Sequence, residues 1–133
     1  MYRFDARDDA EKVLSKSIFD MYMSSENSCE YNKKIKELSD AQHKYSSFLK
    51  SMVKVYVDRY ATDEEYGAYC RKRQMMSTCI PKYVEFCENL FRTAPDKRIE
   101  YVDSTGISYG IVMEYLRKYR DGRREYSHLV DEF

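Results

Sequence analysis

Tyr31, Ile35, Leu38, Gln42, Tyr45, Leu49, Met52 and Tyr56 follow one another at alternating spacings of four and three residues. That rhythm holds all eight side chains on one stripe of an α-helix, since a turn takes about 3.6 residues. It predicts a continuous helical region from about residue 27 to residue 60, with Gln42 as the one polar member of the stripe. Such a helix would be about 50 Å long at roughly 1.5 Å per residue. An apolar stripe of that length has to be covered. The region breaks and folds back, packs beside a helical hairpin, or pairs with a second copy of the chain.

The rest of the chain is consistent with helices. Gly67 is the only glycine before Gly106, and Pro81 and Pro95 are the only prolines. An all-β fold would need turn residues far more often. Leu14, Ile18 and Tyr22 lie four apart on a first helix that Asp5 would cap and that runs to about Met23. Asn27 and Glu30 are spaced as a cap for the second helix. Thr62-Asp63-Glu64-Glu65 has the pattern of a capping box, with Glu65 reaching back to the cap residue. Pro81 forbids an uninterrupted helix to Arg92, so a break is expected near Ser77-Thr78 with Pro81 in the first turn beyond it. Tyr83, Phe86, Cys87 and Leu90 form the stripe of that helix. Residues 96–104 fit a strand or a short helix equally, and Ile107, Ile111 and Tyr115 restart a helical stripe. The expected architecture is therefore all-α: one domain over residues 1–133, a bundle of about five helices, and a short polar tail from about residue 122.

Composition narrows the function classes. The 23 basic and 23 acidic side chains cancel, so only a local basic patch would serve nucleic acid or an anionic surface. No window of about 20 residues is free of charges, and the N-terminus has no apolar signal stretch, which points to the cytoplasm or nucleus. Cys29, Cys70, Cys79 and Cys87 are widely spaced and fit reduced thiols that fill gaps in a core. His43 stands alone in mid-helix and no His or Cys pair has ligand spacing, so neither a metal nor a cofactor is expected. With 14 Tyr, 6 Phe and 7 Met, the chain has adaptable side chains suited to a protein-binding surface.

Two resemblances give this surface a sharper form. Gly106-Ile107-Ser108-Tyr109-Gly110, with Leu90-Phe91 upstream, resembles the opening signature of the Bcl (B-cell lymphoma) family of apoptosis regulators. The resemblance implies an all-α fold whose groove binds an amphipathic helix from a pro-death partner. In that reading Tyr45, Met52, Tyr56, Tyr109, Gly110 and Met113 are the partner-binding residues. Residues 98–120 are similar to a helix-turn-helix, with Ile107, Val112 and Tyr115 at the apolar positions that follow its turn glycine. That similarity implies nucleic-acid binding through Ser108, Arg117, Lys118, Arg120, Arg123 and Arg124. Arg123 and His128 also match the spacing of the R-x4-H motif of HEPN nucleases. The leading expectation is a non-enzymatic protein-interaction module, binding an amphipathic helix or a second copy of itself, with nucleic-acid binding as the alternative.

Overall fold

A computed structural model describes residues 6–28, 30–75 and 79–118. The fold is all-α, with a two-strand bridge as its only sheet among the described residues. In chain order the elements are α1 (Ala6–Met23), β1 (Glu26–Asn27), α2 (Tyr31–Glu37), α3 (Asp40–Arg59) and α4 (Asp63–Gln74). They continue with β2 (Cys79–Ile80), α5 (Lys82–Arg92), a 3-10 turn (Pro95–Lys97), α6 (Arg98–Ser104) and α7 (Tyr109–Lys118).

The described residues thus contain seven α-helices where about five were expected, and the long region from 27 to 60 is not one helix. It breaks at Leu38-Ser39. Leu38 is extended (ψ 142°), and Ser39 opens α3 with a capping box. The Gln42 N–H donates to Ser39 Oγ at 3.4 Å, and the Ser39 N–H donates to Gln42 Oε1 at 2.7 Å. Gln42, the polar member of the stripe, is therefore a capping residue whose Nε2 also donates to the Cys87 carbonyl at 3.2 Å. A cap of this kind contributes on the order of 1 kcal/mol and satisfies N–H groups that a continuous helix would have paired internally. The proposed Asn27 cap is also replaced. Asn27 lies in β1, Glu30 precedes α2 without a side-chain cap bond, and Ser28 Oγ accepts from the Glu30 N–H at 3.1 Å.

Other expectations hold. Leu14, Ile18 and Tyr22 are buried on α1. Thr62 and Glu65 make the reciprocal capping bonds that open α4, at 3.2 and 3.0 Å. Pro81, expected in the first turn, instead stands one residue before α5 in extended conformation; it has no hydroxyl to cap the helix, and the Lys82 N–H finds the buried Ser25 Oγ at 2.6 Å. Residues 96–104 are helical: Pro95 starts the 3-10 turn and α6 follows directly. Asp5, the expected break at Ser77-Thr78 and the polar tail lie outside the described residues.

The core forms around α3, which packs against α1 and α5, while α7 packs against α1. Tyr45, Tyr83, Tyr115 and Phe48 are fully buried, and the aromatic rings meet in pairs. Tyr45–Phe86 centroids are 5.6 Å apart, Phe48–Tyr115 6.1 Å and Phe86–Tyr101 5.7 Å. Such pairs add about 0.5–1.5 kcal/mol each beyond the area they bury. The β1–β2 bridge pairs Glu26 with Ile80 and Asn27 with Cys79, tying the end of α1 to the start of α5.

Candidate functional site

Helix α4 differs from its neighbours in having no buried side chain. Its sequence, DEEYGAYCRKRQ, carries charges around most of its surface, so no apolar stripe draws it into the core. Polar contacts hold it instead. The Tyr56 hydroxyl reaches Glu65 at 2.9 Å, Lys16 Nζ lies 3.7 Å from the same carboxylate, and Lys72 Nζ donates to the Ser25 carbonyl. One ring contact helps, between Tyr69 and Tyr22 at 5.8 Å.

Because α4 leans on α3 without filling the space between them, a cleft of about 630 Å³ remains. Its size falls within the range of about 300–1,000 Å³ usual for binding pockets. Buried Tyr22, Val53, Val57 and Tyr83 line its depth, with half-buried Tyr69 and Cys70 from α4 beside them. Exposed Lys50, Lys54 and Arg73 line its mouth, along with Asp58 and Tyr66. Tyr66 is 55% exposed, a large ring left largely in water. Burial pushes the Tyr22 hydroxyl up to about 12 and the Tyr83 hydroxyl higher still, so both remain neutral donors at the bottom of the cleft.

A second cavity, of about 500 Å³, lies between α1, α5 and the turn before α7. Asp20, Glu85 and Lys82 give its lining mixed charge, and Met21, Phe86 and Tyr101 supply the apolar part.

The expected partner-binding residues lie elsewhere. Tyr45, Met52 and Tyr56 belong to the core, where the stripe that suggested a partner is consumed by α1 and α5 of the same chain. Met113 is buried, Tyr109 is half-buried and Gly110 is exposed on α7. None of these six lines the α3–α4 cleft. No partner helix reaches Tyr45 or Met52 without opening the fold.

For the nucleic-acid alternative, α6, a turn over residues 105–108 and α7 do form a helix, a turn and a helix. Gly106 takes a positive φ of 87°, which suits a residue without Cβ, and Ile107, Val112 and Tyr115 are buried as the similarity implied. The N-terminus of α7 is already occupied, however: Asp103 Oδ1 accepts from the Tyr109 N–H at 2.9 Å. A carboxylate there takes the position a phosphate would use and repels one. Ser108 is exposed beside it, and its Oγ accepts from the Ile111 N–H at 3.3 Å. The side chains of Arg117 and Lys118 lie outside the described residues, as do Arg120, Arg123, Arg124 and His128.

Among the described residues no three His, Cys, Asp or Glu side chains come together to hold a metal, and no helix is long and apolar enough to cross a membrane. Cys70, Cys79 and Cys87 are free thiols, and burial pushes that of Cys87 up. Cys29 lies outside the described residues.

Glu65 links the seating of α4 to pH. The Thr62 backbone N–H, then the Tyr56 hydroxyl and Lys16, hold its carboxyl below the ordinary value of 4.5, against an opposing effect of burial. A carboxylate whose folded pKa is depressed stabilises the fold fully above its unfolded pKa. That contribution is lost as pH falls through the folded value. The stability gap between wild type and Glu65→Gln, measured by urea unfolding, is therefore expected to narrow as pH falls from about 6 through the depressed folded value. A gap that stays constant over that span would show that Glu65 is not the latch of α4.

The cleft was missed in the sequence because no single stretch of chain builds it. Its trace there is Ser47, Lys50, Ser51, Lys54 and Asp58, a polar stripe on α3 at helical spacing, facing a helix with too few apolar residues to be core. Compared with protein-family models, curated proteins and solved structures, the chain matches none of them.

Proposed function

We propose that this protein is a non-enzymatic interaction module that takes an amphipathic segment of another protein into the α3–α4 cleft. The observation that carries the reading is the weakly anchored α4. It borders a cavity floored by aromatic and aliphatic side chains, while contributing no buried side chain of its own. Displacing such a helix outward removes no fully buried side chain of its own from the core, which favours widening of the cleft. The cavity admits side chains, not a whole helix of about 10–12 Å diameter, and the partner's backbone would lie across its mouth.

The chain contains no tryptophan, so a tryptophan-labelled peptide reports its own binding by fluorescence. Titration with a panel of amphipathic helical peptides is expected to give saturable binding. Tyr66→Ala, which removes an exposed ring and no core contact, should weaken it about tenfold. No saturable binding by any member of the panel would overturn the reading.

A Bcl-like form of the same function draws support from residues 106–112. Gly106 turns the chain into α7, and Ile107 and Val112 are buried at its start, in keeping with a signature that opens a buried helix. If this form holds, the pro-death helices are the tightest binders of the panel and Tyr66→Ala weakens them.

A further inference from the structure

We infer that the segment accepted by the α3–α4 cleft is acidic, with its carboxylates gathered towards the end that meets Lys50, Lys54 and Arg73. The inference rests on the cleft being the binding site and adds the chemistry of what enters it.

Elsewhere on the described surface some cations are answered by acids or carbonyls, while others, such as Lys33, Lys36, Lys44 and Arg71, stand exposed without an ion pair among the described residues. Lys16 pairs with Asp20 and Glu65, Lys34 with Glu85 and Glu88, Arg59 with Glu11, and Arg92 with Glu88. Lys72 and Arg98 donate to backbone carbonyls. What sets the cleft apart is that three exposed cations line one cavity. Lys50, Lys54 and Arg73 make no ion pair among the described residues, and Asp58 is the only acid lining the same cavity. Because the chain as a whole has equal numbers of acidic and basic groups, this surplus is a local arrangement and does not follow from composition.

The three cations are placed to act together. Lys50 and Lys54 are one helical turn apart on α3, about 6 Å along the axis. Arg73 comes from the last turn of α4, on the facing wall. Asp58 lies a further turn along α3, towards the end where Tyr66 opens the mouth, and its charge raises the Tyr66 hydroxyl after the larger effect of Cys70. The cleft is thus positive at one end and close to neutral at the other. An amphipathic segment would bury apolar side chains over Val53, Val57 and Tyr69 while carboxylates reach both cationic walls. A bilayer surface is too flat to enter a space between two helices, which separates this ligand from an anionic membrane.

The test uses the whole chain and three versions of one tryptophan-labelled amphipathic peptide, carrying Glu, Gln or Lys at its flanking positions. The Glu version is expected to bind about tenfold tighter than the Gln version. Its affinity should fall as salt rises from about 50 mM to about 500 mM. The double variant K50E/K54E should reverse the preference towards the Lys version, with an unchanged circular dichroism spectrum. Equal binding of all three versions, unmoved by K50E/K54E yet weakened by Tyr66→Ala, would overturn the acidic assignment and leave the cleft standing. Failure of every version to bind would overturn both. Tighter binding of phosphatidylserine vesicles or of a single-stranded oligonucleotide than of the Glu peptide would assign the cations to those ligands instead.

Discussion

Phe48→Ala is expected to lower the free energy of unfolding by about 3–5 kcal/mol, the range for truncating a fully buried aromatic. Domains of this size are stable by only about 5–15 kcal/mol, so the variant would sit close to the edge of folding. Phe48 is wholly buried on α3, where its ring lies 6.1 Å from both Tyr45 and Tyr115. Removing it takes a contact from α3 and from α7 together, and those helices meet through side chains too large to collapse into the void. Urea unfolding followed by circular dichroism measures the loss. Tyr66→Ala, changed at an exposed ring, should move the same midpoint by no more than about 0.5 kcal/mol. A Phe48→Ala loss below about 1 kcal/mol would mean that α3 is not the centre of the core.

Arg59→Ala is expected to cost about 1.5–3 kcal/mol, as for a buried charged group that loses a hydrogen bond. Glu11 on α1 is only 2% exposed, and its carboxylate accepts from the Arg59 guanidinium and, at 3.1 Å, from the Tyr60 hydroxyl. The pair is lopsided. Arg59 is 55% exposed, so water already answers part of its charge, which keeps the loss below that of a wholly buried pair. Remove Arg59 and a desolvated carboxylate is left with one neutral donor. Glu11→Gln, by contrast, leaves Arg59 free to turn into solvent and keeps a polar acceptor, so its loss should be the smaller of the two. Urea unfolding of both variants decides the matter. Losses equal in size would show that burial of Glu11 is not what makes the contact matter.

How far these features were legible in the sequence depended on whether they were local. Leu14, Ile18 and Tyr22 share a face because of helix geometry alone, and the Thr62 cap involves a partner three residues away. The break at Leu38-Ser39 was also written locally, as Ser39 followed three residues later by Gln42, but the same glutamine completed an apolar rhythm that ran past it. Two readings shared one residue. The cap prevailed because an extended Leu38 frees Ser39 to receive the first amides of α3, and Leu38 is still buried in that conformation. Tyr45, Met52 and Tyr56 show a different limit. Periodicity says that a stripe must be covered and is silent on whether the cover belongs to the same chain; here α1 and α5 provide it. The cleft was the least legible feature. It depends on placing Arg73 opposite Lys50 across a turn and two helices, and no spacing rule in one dimension encodes that distance.

A helix that places no fully buried side chain in the core, and touches it mainly through Tyr69, is also one whose sequence the core polices little. Apart from Tyr69, substitutions along the cleft face of α4 draw only on about the few tenths of a kcal/mol typical of surface positions, provided Thr62 and Glu65 keep it docked. On α3, one wall away, the buried positions from Tyr45 to Val57 are bound by packing. The two walls of the cleft are therefore constrained unequally by the fold. The α4 wall of the cleft can change its chemistry while the buried face of α3 holds the fold unchanged, so the lining of the cleft is free to vary faster than the structure around it.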